Sequence, residues 1–133
     1  RDAFDAATDH VFVMGWDGFD LDSQYLLVNG DSILPPMTWR AGSKHRIRLV
    51  VIGPGGRVDT KLAQDSVVMK WTPVAKDGAD LPDAQRIARN AQLRMESGET
   101  ADFEFTPPRR GEYVMTMRLS DSKGPLTQRI IVR

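Results

Sequence analysis

Turn-forming residues interrupt this chain so often that long regular helices have little room to form. Eleven glycines and eight prolines fall among 133 residues. Many gather into punctuation: Asn29-Gly30, Pro35-Pro36, Gly53-Pro54-Gly55-Gly56, Asp77-Gly78, Ser97-Gly98, Pro107-Pro108 and Ser122-Lys123-Gly124-Pro125. Glycine supplies positive φ, and proline fixes φ while removing an N–H donor, so each cluster ends an element. Between the clusters lie short runs rich in β-branched and aromatic residues. That combination predicts an all-β sandwich or barrel.

The runs can be placed one by one. Arg1 to Asp9 is mixed and polar and reads as a linker or incoming arm, leaving residues 10–133 as the domain. His10 to Trp16 reads as a strand, Asp17 to Ser23 as a loop, and Gln24 to Val28 as a short strand ended by the Asn29-Gly30 hairpin signal. Ile33 to Trp39 contains Pro35-Pro36 and must be an edge or crossing segment. His45 to Ile52 alternates, with Ile47, Leu49 and Val51 on one face and Arg46 and Arg48 on the other, as a half-buried strand does. Val58 to Ala63 and Val67 to Ala75 are the next strands. Ala84 to Ala91 is the one segment with a helical face, made by Ile87, Ala88 and Ala91; a short helix, a single turn and an extended crossing all fit it. Gln92 to Met95, Ala101 to Phe105, an alternating run from Tyr113 to Leu119, and Leu126 to Val132 complete the set. About eight strands with long connections suit a Greek-key sandwich.

Charge and cysteine content exclude several classes. Eighteen basic and eighteen acidic residues cancel, so no global field draws in nucleic acid or an anionic membrane. No apolar run approaches the roughly 18 residues of a membrane span. With no cysteine, disulfides, thiolate metal sites and cysteine nucleophiles are all ruled out. The chain opens at Arg1 without an initiator methionine or apolar leader, which predicts a processed chain or a piece of a longer one.

Six segments, in order, resemble a cupredoxin domain of the multicopper oxidase family. Thr8 to Val13 resembles an entry strand after an interdomain linker, and Leu27-Val28-Asn29-Gly30 the "LxNG" hairpin. Arg40 to Leu49 resembles the "RAGxxxRLRL" strand, and Trp71 to Pro82 the strand and turn carrying "xxDGxxLP". Gly98 to Phe103 resembles "GExxDF", and Pro108 to Tyr113 the "PGxY" approach to a late strand. The resemblance implies a cupredoxin-like β-sandwich, secreted or periplasmic, with a neighbouring cupredoxin domain as partner and some tendency to self-associate. It also implies copper in a parent protein. A type 1 copper site, however, uses two histidines, a cysteine and a weak axial methionine. Here only His10 and His45 are present and cysteine is missing. The family's His-x-His pairs are absent too, so no catalytic, cofactor-binding or metal residue carries over. The chain is similar to the copper-free middle domain of three-domain laccases, which acts as a spacer shaping interdomain clefts.

The remaining polar residues read as structural. His10 and His45 are too few for a metal site, which wants three or four ligands. Met115 and Met117 alternate with Thr116 and Arg118, as a core face does. Asp17, Asp20 and Asp22 lack the glycine and glutamate of a calcium loop. Asp59, Asp65, Asp77, Asp80 and Asp83 have no fixed mutual spacing for acid/base work, and Asp77 and Asp80 are explained by turn formation. No serine sits in a nucleophile elbow, and Gly53 to Gly56 lacks the ending of a phosphate loop. Arg109, Arg110, Arg118, Arg129 and Arg133 suggest an anion surface, outweighed by the zero net charge. The alternative to a copper-free domain is an independent module that binds carbohydrate or protein, with Trp16, Trp39 and Trp71 as the stacking residues. A standalone enzyme is the third reading, and no constellation of nucleophile, base and orienter supports it.

Overall fold

A computed structural model describes residues 3–16, 25–120, 122 and 124–133. The strands, in order, are β1 (Asp9–Gly15), β2 (Leu27–Val28), β3 (Met37–Trp39), β4 (His45–Ile52), β5 (Arg57–Gln64), β6 (Val67–Val68), β7 (Lys70–Lys76), β8 (Ala79–Asp80), β9 (Arg89–Asn90), β10 (Gln92–Glu96), β11 (Thr100–Phe105), β12 (Gly111–Leu119) and β13 (Leu126–Val132). Eight of these have five or more residues, in line with the strand number read from the sequence. They make two sheets. One runs β2-β1-β4-β11-β7-β8 with β9 also on β7, and the other runs β10-β5-β12-β13-β3 with β6 also on β5. Two neighbouring pairs are parallel, β1 with β4 and β3 with β13.

Period-2 alternation decides which side chains enter the core. Ile47, Leu49 and Val51 of β4 and Tyr113, Met115, Met117 and Leu119 of β12 are buried, while Arg46, Arg48, Thr116 and Arg118 point outward. The two methionines are therefore core residues. Trp16 closes one end, its indole N–H donating to the Pro54 carbonyl at 3.0 Å. Gly53 lies so close beneath it, at φ 147°, that a Cβ would sit 2.5 Å from the ring. The glycine-rich loop thus wraps an indole. The Tyr113 hydroxyl donates to the Arg109 carbonyl at 2.6 Å, the corner expected from Gly111 and Tyr113.

One local expectation needs correction, and one open reading is decided. Val67 to Ala75 is two strands, because β6 pairs with β5 in one sheet and β7 belongs to the other. Met69 lies at the crossing, its N–H donating to the Leu62 carbonyl. Ala84 to Ala91 holds no α-helix. A single 3-10 turn at Asp83–Gln85 follows Pro82, and the chain then extends into β9. So short a helix is marginal in water. Its would-be apolar face is split, with Ile87 64% exposed and Ala91 buried. Ala91 instead gives its N–H to the Met69 carbonyl and accepts from Leu62.

Turn chemistry also closes the sheet edge. Asn29 and Gly30 take φ of 52° and 86°. This hairpin turn delivers the Asn29 side chain to β1, where Oδ1 accepts from the Val13 N–H and Nδ2 donates to the Val11 carbonyl. Among the described residues no helix is long and apolar enough to cross a membrane.

Candidate functional site

His10 and His45 are far apart in sequence and adjacent in space. Parallel pairing sets His10 of β1 opposite Ile47 of β4, two residues beyond His45, so both imidazoles point into the core. The edge strand β3 of the other sheet brings Trp39 against them. His10 stacks on Trp39 at a centroid distance of 4.1 Å and 9° between planes, and His45 lies 4.7 Å from the same indole. The imidazoles are joined by a 3.0 Å contact between His10 Nε2 and His45 Nδ1, and His45 Nε2 lies 3.0 Å from the Arg40 carbonyl.

Hydrogen-bond chemistry fixes the proton positions. A carbonyl only accepts, so His45 Nε2 carries the hydrogen, and in the neutral ring its Nδ1 presents a lone pair. His10 Nε2 must then donate to it. Two neutral imidazoles satisfy the arrangement. Burial, then the adjacent His45, push the His10 pKa down from 6.5 to about 4, with Asp9 opposing. The Trp39 indole N–H is buried and has no hydrogen-bond partner among the described residues.

On the outer face of the same sheet, register places Asp102 of β11 opposite Arg48 of β4. Arg48 Nε and Arg46 Nε donate to its carboxylate at 3.0 and 2.9 Å. Burial alone would raise the Asp102 pKa, but the hydrogen bonds from Arg48 and Arg46 reverse this and hold it below the usual carboxylate range. Sequence reasoning passed over this cluster. The alternation placing Arg46 and Arg48 outward was visible, but their shared partner lies 54 residues beyond Arg48, on another strand.

The other candidates are dispersed. Asp59 pairs with Arg94, and Asp65 sits at φ 50° in the turn before β6. Asp77 accepts from the Thr100 N–H at 2.9 Å, Asp80 lies in β8 and Asp83 opens the 3-10 turn. Arg109 donates to Gln64, Arg129 pairs with Glu112, and Arg118 faces Asp59 four residues along β12 from Arg129's partner Val114. Asp17, Asp20 and Asp22 lie outside the described residues. The tryptophans are core residues, and the stacking role that the alternative binding module requires is not available: Trp39 and Trp71 are 1% exposed and Trp16 7%. Each carries enough apolar area that the core claims it.

A second feature also escaped the sequence. Pro73 of β7 has no N–H to donate, and between β8 and β9 the edge of β7 has no strand partner, the Val74 carbonyl accepting instead from the Leu81 N–H at 2.9 Å. The chain from Leu81 to Arg89 spans this gap on its way to the opposite sheet. Beneath it lies a cleft of about 510 Å³ lined by Pro73, Leu81, Ile87, Arg89, Leu93 and Phe103, among others.

Comparison with known proteins places this architecture. No family model matches the sequence, nor does any curated protein. Solved structures do match. A multicopper oxidase aligns over 97% of this chain and 45% of its own, with a TM-score of 0.74 at 15% identity. A blue copper oxidase from Nitrosomonas europaea aligns over 93% and 43%, with a TM-score of 0.73 at 14% identity. A laccase from Botrytis aclada aligns over 92% and 29%, with a TM-score of 0.68 at 14% identity. The chain has a cupredoxin-like fold. It spans less than half the length of the chains it matches.

Cupredoxin-like folds invite the question of copper, and the residues present do not fit a type 1 centre. That centre needs a thiolate beside two imidazoles, and the chain has no cysteine. Its two histidines spend three of their four ring nitrogens on each other and on the Arg40 carbonyl. Met115 and Met117 face the core. Among the described residues no group of three or more His, Asp or Glu is arranged to hold a metal ion.

Proposed function

We propose that this chain is a copper-free cupredoxin domain of a multicopper-oxidase-like protein, with a structural and interdomain role. Substrate oxidation coupled to dioxygen reduction then belongs to another domain of the parent, where copper is bound. Its partner is a neighbouring cupredoxin domain, and a secreted or periplasmic address accompanies that reading. The single observation carrying it is the fate of the two histidines: both are buried and committed to each other in a stack on Trp39. An imidazole that ligates copper must offer a free lone pair, and the His45 lone pair is taken.

Adding one equivalent of Cu(II), or of Cu(I) followed by air, to the purified chain tests the reading. The expected result is a colourless protein without a thiolate-to-copper absorption band and without phenol or amine oxidation. Tight stoichiometric copper binding accompanied by turnover overturns it.

A further inference from the structure

The cleft under the Leu81 to Arg89 crossing is built differently from the rest of the interior. Its floor is the inner face of β7 and β11, where Phe103 and Pro73 are buried. Its far wall is Leu93 of β10, from the opposite sheet. Small residues keep it open, because Ala75, Ala84 and Ala101 stand where larger side chains would fill the space. Ile87 on the roof is 64% exposed, an apolar side chain left uncovered beside an apolar hollow. At about 510 Å³ the volume falls within the range of small-molecule sites, roughly 300–1,000 Å³.

Charge at the mouth sets the sign of the ligand. Lys76 is already engaged, its ammonium 2.6 Å from Glu99 Oε2. Arg89 makes no ion pair among the described residues. Its register helps fix its direction: Arg89 pairs with Trp71 and lines the cleft while remaining exposed at the mouth. A guanidinium is a planar donor suited to a carboxylate. We infer that the cleft binds a small amphipathic carboxylate, with its head at Arg89 and its apolar body against Phe103, Leu93 and Ile87. This is independent of whether the chain is copper-free.

Titration calorimetry of the chain with hexanoate, octanoate and 1-octanol tests it, with amide shifts from nuclear magnetic resonance locating the site. Octanoate is expected to bind at one saturable site roughly tenfold more tightly than hexanoate, from two extra buried methylenes, with shifts centred on Ala101 and Phe103. Arg89→Gln should weaken octanoate at least fivefold and leave octanol within twofold, while Ile87→Asp should weaken both about tenfold. Both positions are exposed, so the fold is expected to survive, with circular dichroism as the check. Absence of octanoate binding, shifts centred on another face, or an Arg89→Gln effect equal for octanoate and octanol each overturns the inference.

Discussion

The sandwich is closed differently at two places where an edge segment approaches the opposite layer. Around β3, the edge is sealed by large rings: both imidazoles lie against Trp39, bonded to each other and, through His45, to the Arg40 carbonyl. Around the Leu81 to Arg89 crossing, proline and alanines leave a hollow, with Ile87 on its exposed rim. Both are seams between the two sheets, but one is filled with polarisable rings and directed hydrogen bonds while the other is not. Histidine therefore acts here as a packing residue.

Truncating the sealed seam should have the largest effect. Trp39→Ala removes the ring on which both imidazoles lie, and an aromatic-to-alanine change in a core costs about 3–5 kcal/mol. Urea denaturation measures it. A loss below about 1 kcal/mol would mean that the seam is not a core.

Next comes the pH dependence of the same seam. A histidine with a depressed folded pKa binds its proton more readily when unfolded, so its contribution is intact above 6.5. It is lost as pH falls from 6.5 towards about 4. The shift corresponds to on the order of 3 kcal/mol. The charged and titratable groups around His10 are His45, Asp9, Arg46, Arg48 and Asp102. His10→Phe keeps a ring on Trp39 and should flatten the stability profile across that window. An unchanged slope would assign the acid sensitivity to another group.

Asp102→Asn is expected to cost about 1–3 kcal/mol, since it leaves the Arg46 and Arg48 guanidiniums without their anion. The depressed Asp102 pKa places its own acid loss below the ordinary carboxylate value, under the histidine window. The two losses should resolve as successive steps in the wild-type profile. On the open seam, Ile87→Ser should change stability by no more than about 0.5 kcal/mol, because the side chain is exposed. A larger loss would show that the roof packs more tightly than its exposure indicates.

What the sequence made legible follows from distance along the chain. Alternation in His45 to Ile52 and Tyr113 to Leu119, the Asn29-Gly30 turn and the edge character imposed by Pro35-Pro36 are local, and each is found as read. The His10 to His45 bond, the Arg46 to Asp102 pair and the cleft between Pro73 and Leu93 depend on which strands become neighbours. No local pattern encodes that. The Ala84 to Ala91 segment shows the limit from the other side, because its helical spacing lost to pairing with β7 and to backbone bonds from Leu62 and Met69.

One amide determines where a sheet ends. Asn29 offers β1 a donor and an acceptor at the spacing another strand would use, at Val11 and Val13, while β2 occupies Met14 and Gly15. The edge is therefore terminated from within the chain, and an incoming strand from another molecule finds those backbone groups already satisfied. Sheet growth, the route by which exposed edges seed fibrils, is stopped on this side by a side chain of four heavy atoms that costs the fold no additional strand.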